Sequence, residues 1–75
     1  MSIFKEVGQN IISLRKAKGI TQERLALDSD MSVSYLRAIE HGDANPTINA
    51  LERLAKTLEE PVTSLVGIGG SLGEK

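Results

Sequence analysis

The spacing of apolar positions along the chain predicts a series of helices and no strand. Val7, Ile11 and Leu14 recur at intervals of four and three, which places one apolar stripe on a helix running from about Ile3 to Lys18 and stopped by Gly19. Thr21 then caps a short second helix over Gln22 to Leu27, with Leu25 and Ala26 turned inward, and the polar run Asp28-Ser29-Asp30 breaks it. Ser32 opens a third helix that Gly42 closes, with Leu36 and Ile39 directed to the core. A loop from Gly42 to Pro46 follows, because proline pushes the residue before it out of the helical region. Thr47 caps a fourth helix whose stripe is Ile48, Leu51, Leu54, Ala55 and Leu58, ended before Pro61. Val62 to Val66 supply one or two further turns. The closing stretch GIGGSLGEK holds four of the seven glycines and reads as a frayed tail, so the expected organisation is one domain over residues 1–66 and a flexible tail over 67–75.

The third helix has an unusual outward face. With Leu36 and Ile39 inside, the opposite stripe is Ser32, Val33, Ser34, Arg37 and Ala38, which is small, mostly uncharged and partly apolar. Solvated helix faces commonly carry Glu and Lys at such positions. This stripe is either an under-charged surface or one built to touch something.

Composition narrows the choice. Seventy-five residues with 40% apolar content make one domain, near the size at which a single core is only just sufficient. There is no cysteine, hence no disulfide and no thiolate metal site. No apolar run is long enough to cross a bilayer and no signal-like segment opens the chain, so the expectation is a soluble cytoplasmic protein with no membrane partner. The formal net charge of −1 argues mildly against nucleic acid, since Lys and Arg supply much of such binding by neutralising phosphates. The charge is unevenly spread: six basic against five acidic residues lie in 1–42, and three against five in 43–75.

Catalytic chemistry has little to stand on. His41 is the single histidine, so a metal cluster or a Ser-His-Asp triad lacks partners. The late GIGG has neither a strand before it nor a helix after it, as a phosphate loop requires. Glu52 and Lys56, four apart, are most simply a solvated helix face. We expect no enzyme, no metal or other cofactor, and no small-molecule ligand.

Two short helices joined by a tight turn form a helix-turn-helix unit, and its constraints are met one by one. The first helix of the unit needs an apolar residue followed by a very small one where its partner crosses closely, and Leu25 and Ala26 supply them. The turn needs a residue able to take positive φ, which Asp30 can. Met31, Leu36 and Ile39 serve as apolar anchors after the turn. The run TQERLALDSDMSVSYLRAIEHG, with VGQNIISLRKAKGI upstream and NPTINALERLAKTL downstream, resembles the Cro/CI-type, or xenobiotic-response-element-like, helix-turn-helix regulators. These include phage repressors, restriction-modification controller proteins, SinR-like regulators and antitoxins. The resemblance covers roughly residues 5 to 66. Leu14-Arg15, Gly19, Thr21-Gln22, Leu25-Ala26, Ile39-Glu40, Gly42, Pro46 and Leu54-Ala55 all fall in register, and Asp30 stands where the family usually has Gly.

The resemblance implies an all-α, five-helix, lambda-repressor-like domain that binds double-stranded DNA with its third helix in the major groove. Ser32, Val33, Ser34, Arg37 and Ala38 would then face base edges: hydroxyls donate or accept, Val33 can meet a thymine methyl, and Arg37 can reach guanine or a phosphate. Gln22, at a helix N-terminus, and Tyr35 would hold phosphates, with Asn45 and Thr47 as a second clamp. Plainer duties remain open beside these: an ordinary first-turn residue for Gln22, half-burial for Tyr35, and loop-forming and capping for Asn45 and Thr47. Paired residues in the register of Arg15 and Glu40 are a feature of the family, and both lean inward here, which implies an internal ion pair. A homodimer is expected through Val62, Leu65, Val66 and Ile68, because one weakly charged domain makes few phosphate contacts and this apolar cluster needs a cover. The expected function is a transcriptional regulator of a palindromic operator, possible roles including restriction-modification control. The alternative is an antitoxin-type module that binds a partner toxin and autoregulates.

Overall fold

The computed structural model describes residues 2–67 and folds them into five helices: α1 (Ile3–Ala17), α2 (Gln22–Asp28), α3 (Val33–His41), α4 (Ile48–Leu58) and α5 (Val62–Val66). Among the described residues there is no strand. Ile68 and the rest of the expected tail from there on lie outside the described residues.

Each of the first four helices is opened by a hydroxyl. Ser2, Thr21, Ser32 and Thr47 are N-caps in extended conformation, and their side-chain oxygens accept from the backbone N–H of Phe4, Arg24, Tyr35 and Ala50. The same four helices end alike. Gly19, Asp30, Gly42 and Glu59 take left-handed conformations with φ of 69°, 58°, 79° and 59°. After each one, a backbone N–H reaches back five residues: Ile20 to the Arg15 carbonyl, Met31 to Ala26, Asp43 to Ala38 and Glu60 to Ala55. The caps therefore fix where each of these helices starts and stops.

The core takes residues from all five helices, with Ile11, Leu25, Leu36, Leu54, Leu58 and Leu65 fully buried. Removing each such side chain from water is worth roughly 1.5–3 kcal/mol. Gly8 lets α1 press directly on α3, since a Cβ there would sit 2.4 Å from the Glu40 carbonyl oxygen and 2.6 Å from that of Ile39. Ser29, between α2 and the turn, is polar yet buried, and its hydroxyl donates to Thr57 Oγ1 at 3.0 Å.

Two positions depart from expectation. Ile48, assigned to the inward stripe of α4, is 73% exposed, because the buried face of α4 begins only at Ala50 and the first turn projects beyond it. Leu65, assigned to a dimer face, is completely buried within its own protomer and belongs to the core cluster. It is unavailable to a second chain. Val62 and Val66 are half-buried beside it.

Candidate nucleic-acid interface

The outward stripe of α3 is assembled around its N-terminal end. Ser32, Ser34 and Arg37 are exposed, while Val33 and Ala38 are half-buried, Val33 resting partly against the core. Capping occupies one lone pair of Ser32 Oγ, which receives the Tyr35 N–H at 3.0 Å and keeps its own proton free to donate. The face thus offers two hydroxyls, one guanidinium and two small apolar contacts, without a carboxylate among them.

Around this stripe the structure places the other residues singled out by the sequence. Tyr35 is half-buried and its hydroxyl oxygen accepts the Thr47 N–H at 3.4 Å, so the ring both packs and ties α3 to the start of α4. Because the oxygen is used as an acceptor there, the hydroxyl proton is left to donate outward. Thr47 Oγ1 caps α4 by accepting from Ala50 N–H at 3.0 Å, and Asn45 is exposed in the loop before it. Arg53 on α4 donates to the Asp30 carbonyl at 3.4 Å and steadies the turn.

Behind the stripe lies a buried polar network. Arg15 Nε meets Glu40 Oε2 at 2.8 Å and Arg15 Nη2 meets Oε1 at 3.2 Å, a two-pronged pair whose side chains are 13% and 2% exposed. Arg15 Nη1 also donates to the Ile20 carbonyl at 3.1 Å. Gln22 Nε2 joins the same carboxylate, donating to Oε1 at 2.8 Å. No buried side-chain nitrogen or oxygen among the described residues is left without a partner.

The chain that carries this pair of short helices at a tight turn matches the helix-turn-helix family model over residues 11–65. The chain belongs to the helix-turn-helix family. It is similar to an uncharacterized HTH-type transcriptional regulator of Sinorhizobium fredii, 43% identical over 58 residues that make up 77% of this chain and 75% of the relative. It is similar as well to the immunity repressor protein of Bacillus phage phi105, 41% identical over 61 residues, 81% of this chain but only 42% of that repressor. Among solved structures, the restriction-modification controller protein C.AhdI of Aeromonas hydrophila superposes with a TM-score of 0.81 at 34% identity, over 83% of this chain and 94% of that one. These relatives are regulators and not enzymes, and this helix-turn-helix chain is a transcriptional regulator with a DNA-binding domain.

Two residues of this regulator leave no trace in the sequence pattern. Gly8 sits within an amphipathic helix where periodicity counts only apolar positions, so its close approach to α3 is invisible there. Asn10 donates from its single side-chain nitrogen to the carbonyls of Leu65 and Gly67, each at 2.8 Å, and so fastens the end of α5 to α1. A polar residue on the margin of a stripe carries no signal of a partner more than fifty positions away.

Proposed function

We propose that this chain is a sequence-specific regulator that binds a pseudo-palindromic operator as a homodimer in the cytoplasm, with α3 in the major groove, in the manner of a restriction-modification controller. The observation that carries the reading is the exposed, carboxylate-free stripe of Ser32, Ser34 and Arg37, with the half-buried Gln22 amide and Tyr35 hydroxyl beside it. Small hydroxyl side chains allow close approach to base edges, and Arg37 supplies a long donor suited to guanine. Gln22 at the start of α2, Tyr35, Asn45 and Thr47 serve the phosphates, which set register and affinity more than sequence. The likeness to a controller protein over nearly all of that protein's length favours the controller type among the family's roles. The domain comprises residues 1–66. Val62 and Val66 form the described part of the dimer face, which brings two recognition helices onto half-sites about 34 Å apart and doubles the phosphate contacts of a chain with net charge −1.

Competition of variants against a library of mutated operators tests this. Arg37→Ala should change the preferred base at one or two positions of each half-site, at about 1–3 kcal/mol per lost contact. Tyr35→Phe should weaken all duplexes alike, and added salt should weaken the wild type steeply. Equal shifts in specificity for both variants, or no effect of either on DNA, would exclude α3 from the groove and leave a protein partner as the ligand of its bare face.

A further inference from the structure

We propose that Glu40 is the positioning residue of the phosphate contact: its carboxylate orients the Gln22 amide toward the DNA backbone and ties that contact to the base-reading helix. The proposal rests on Gln22 as a phosphate ligand. A buried carboxylate held by two donors of one arginine is already neutralised, as Glu40 is by Arg15 at 2.8 and 3.2 Å. Gln22 Nε2 nonetheless adds a third bond to it at 2.8 Å, although this residue is half-exposed and water could satisfy its amide without cost. Ordering a long side chain loses rotamer entropy, and what the bond fixes in return is the orientation of the amide.

The consequence follows from the two-faced chemistry of the group. A carboxamide donates from nitrogen and accepts at oxygen, whereas a phosphate oxygen accepts only. An unrestrained glutamine presents either end to a phosphate, and the carbonyl end repels it. An ionised Glu40 accepts only, so it selects the nitrogen, fixes the plane of the amide, and leaves the second N–H of that nitrogen as its one remaining donor. Arg15 supplies the compensating charge, so that an approaching phosphate does not meet a bare carboxylate, and its bond to the Ile20 carbonyl holds the segment leading into Thr21 and Gln22. Glu40 itself lies on α3, one turn after Arg37. One side chain thereby links the α2 phosphate anchor to the base-reading helix.

The test is a thermodynamic cycle on the full chain, using a duplex selected by the wild type from a random pool and an unrelated duplex of equal length. Gln22→Ala and Glu40→Gln should each weaken binding to both duplexes about tenfold, the usual worth of a hydrogen bond to a charged group, and the double variant should bind no worse than Gln22→Ala alone. Losses that instead multiply to about a hundredfold would mean that Glu40 acts on DNA binding independently of Gln22, overturning the proposal. Binding by Glu40→Gln as tight as that of the wild type overturns it as well. A second measurement needs neither a variant nor DNA: side-chain 15N relaxation in the free wild type should find the Gln22 amide restricted compared with that of exposed Gln9. Equal mobility of the two amides overturns the proposal even if Glu40→Gln does not fold. Undiminished binding by Gln22→Ala defeats the phosphate reading of Gln22 and this proposal together, whereas a rigid Gln22 amide with multiplied losses defeats the proposal alone.

Discussion

The C-terminal end of α3 and its N-terminal end are held in different ways. At the C-terminal end, α3 is fastened to α1 three times over: the Glu40 carboxylate grips Arg15, the Ile39 and Glu40 carbonyls press on Gly8, and Gly42 lies against Lys5. At the N-terminal end, Ser32 and Ser34 are exposed, and the cap bond of Ser32 is spent within the helix. The left-handed residues that flank α3 repeat the contrast. A Cβ at Gly42 would lie 2.6 Å from Lys5 Cγ and 2.9 Å from Lys5 Cα, so only glycine fits, while exposed Asp30 takes a similar left-handed φ and keeps its side chain in water. A positive φ by itself tolerates Asp; what demands glycine here is the neighbour. One end is pinned against α1, and the other, packed through Val33 and Tyr35, leaves Ser32 and Ser34 in water.

Variants at the two ends should differ accordingly in folding stability measured by urea denaturation. The largest effect is expected for Arg15→Ala, which strands a carboxylate only 2% exposed and should cost about 2–4 kcal/mol, more than the ~1 kcal/mol limit of surface pairs. An unchanged midpoint would mean that the anchored end does not depend on the pair. Next comes Gly42→Ala, which combines left-handed strain with a collision against the α1 backbone and should cost about 2–3 kcal/mol. At the open end the sign reverses: Asp30→Gly relieves strain without creating a clash and should stabilise by about 0.5–1 kcal/mol. The smallest change belongs to Ser34→Ala, within ~0.5 kcal/mol of the wild type, since its side chain is exposed and serves no cap. A loss above about 1 kcal/mol for Ser34→Ala would erase the distinction between the ends.

The helices, the caps at Thr21, Ser32 and Thr47 and the left-handed Asp30 were legible because they depend on local chemistry: stripe spacing, a hydroxyl at the cap, a polar residue able to adopt positive φ. Ile48 shows the limit of periodicity, which places a residue on the correct side of a helix without saying how far the core extends along it. Leu65 shows another. Apolar residues in a five-residue helix read equally well as core or as interface, and only the packing of α5 on α1 and α4 separates Leu65, wholly buried, from Val62 and Val66. Of the candidate site, the outward stripe of α3 and the Arg15–Glu40 register could be found from the sequence, but the addition of Gln22 to that carboxylate could not. It depends on the distance between two helix ends, which no one-dimensional pattern encodes.

The bond from Asn10 to the Leu65 and Gly67 carbonyls has a consequence for the way the molecule opens. A five-residue helix is far too short to persist alone, and α5 ends in extended backbone at Gly67 and not in a left-handed cap, so a side chain on α1 takes over the closing of its last turn. Detachment of α5 is therefore a natural sub-global unfolding unit, one that uncovers the Leu65 site while α1 to α4 stay folded. In native-state hydrogen exchange, the amides of α5 would report the combined strength of the Asn10 bonds and the burial of Leu65, and any assembly through Val62 and Val66 would inherit that opening equilibrium as its own ceiling.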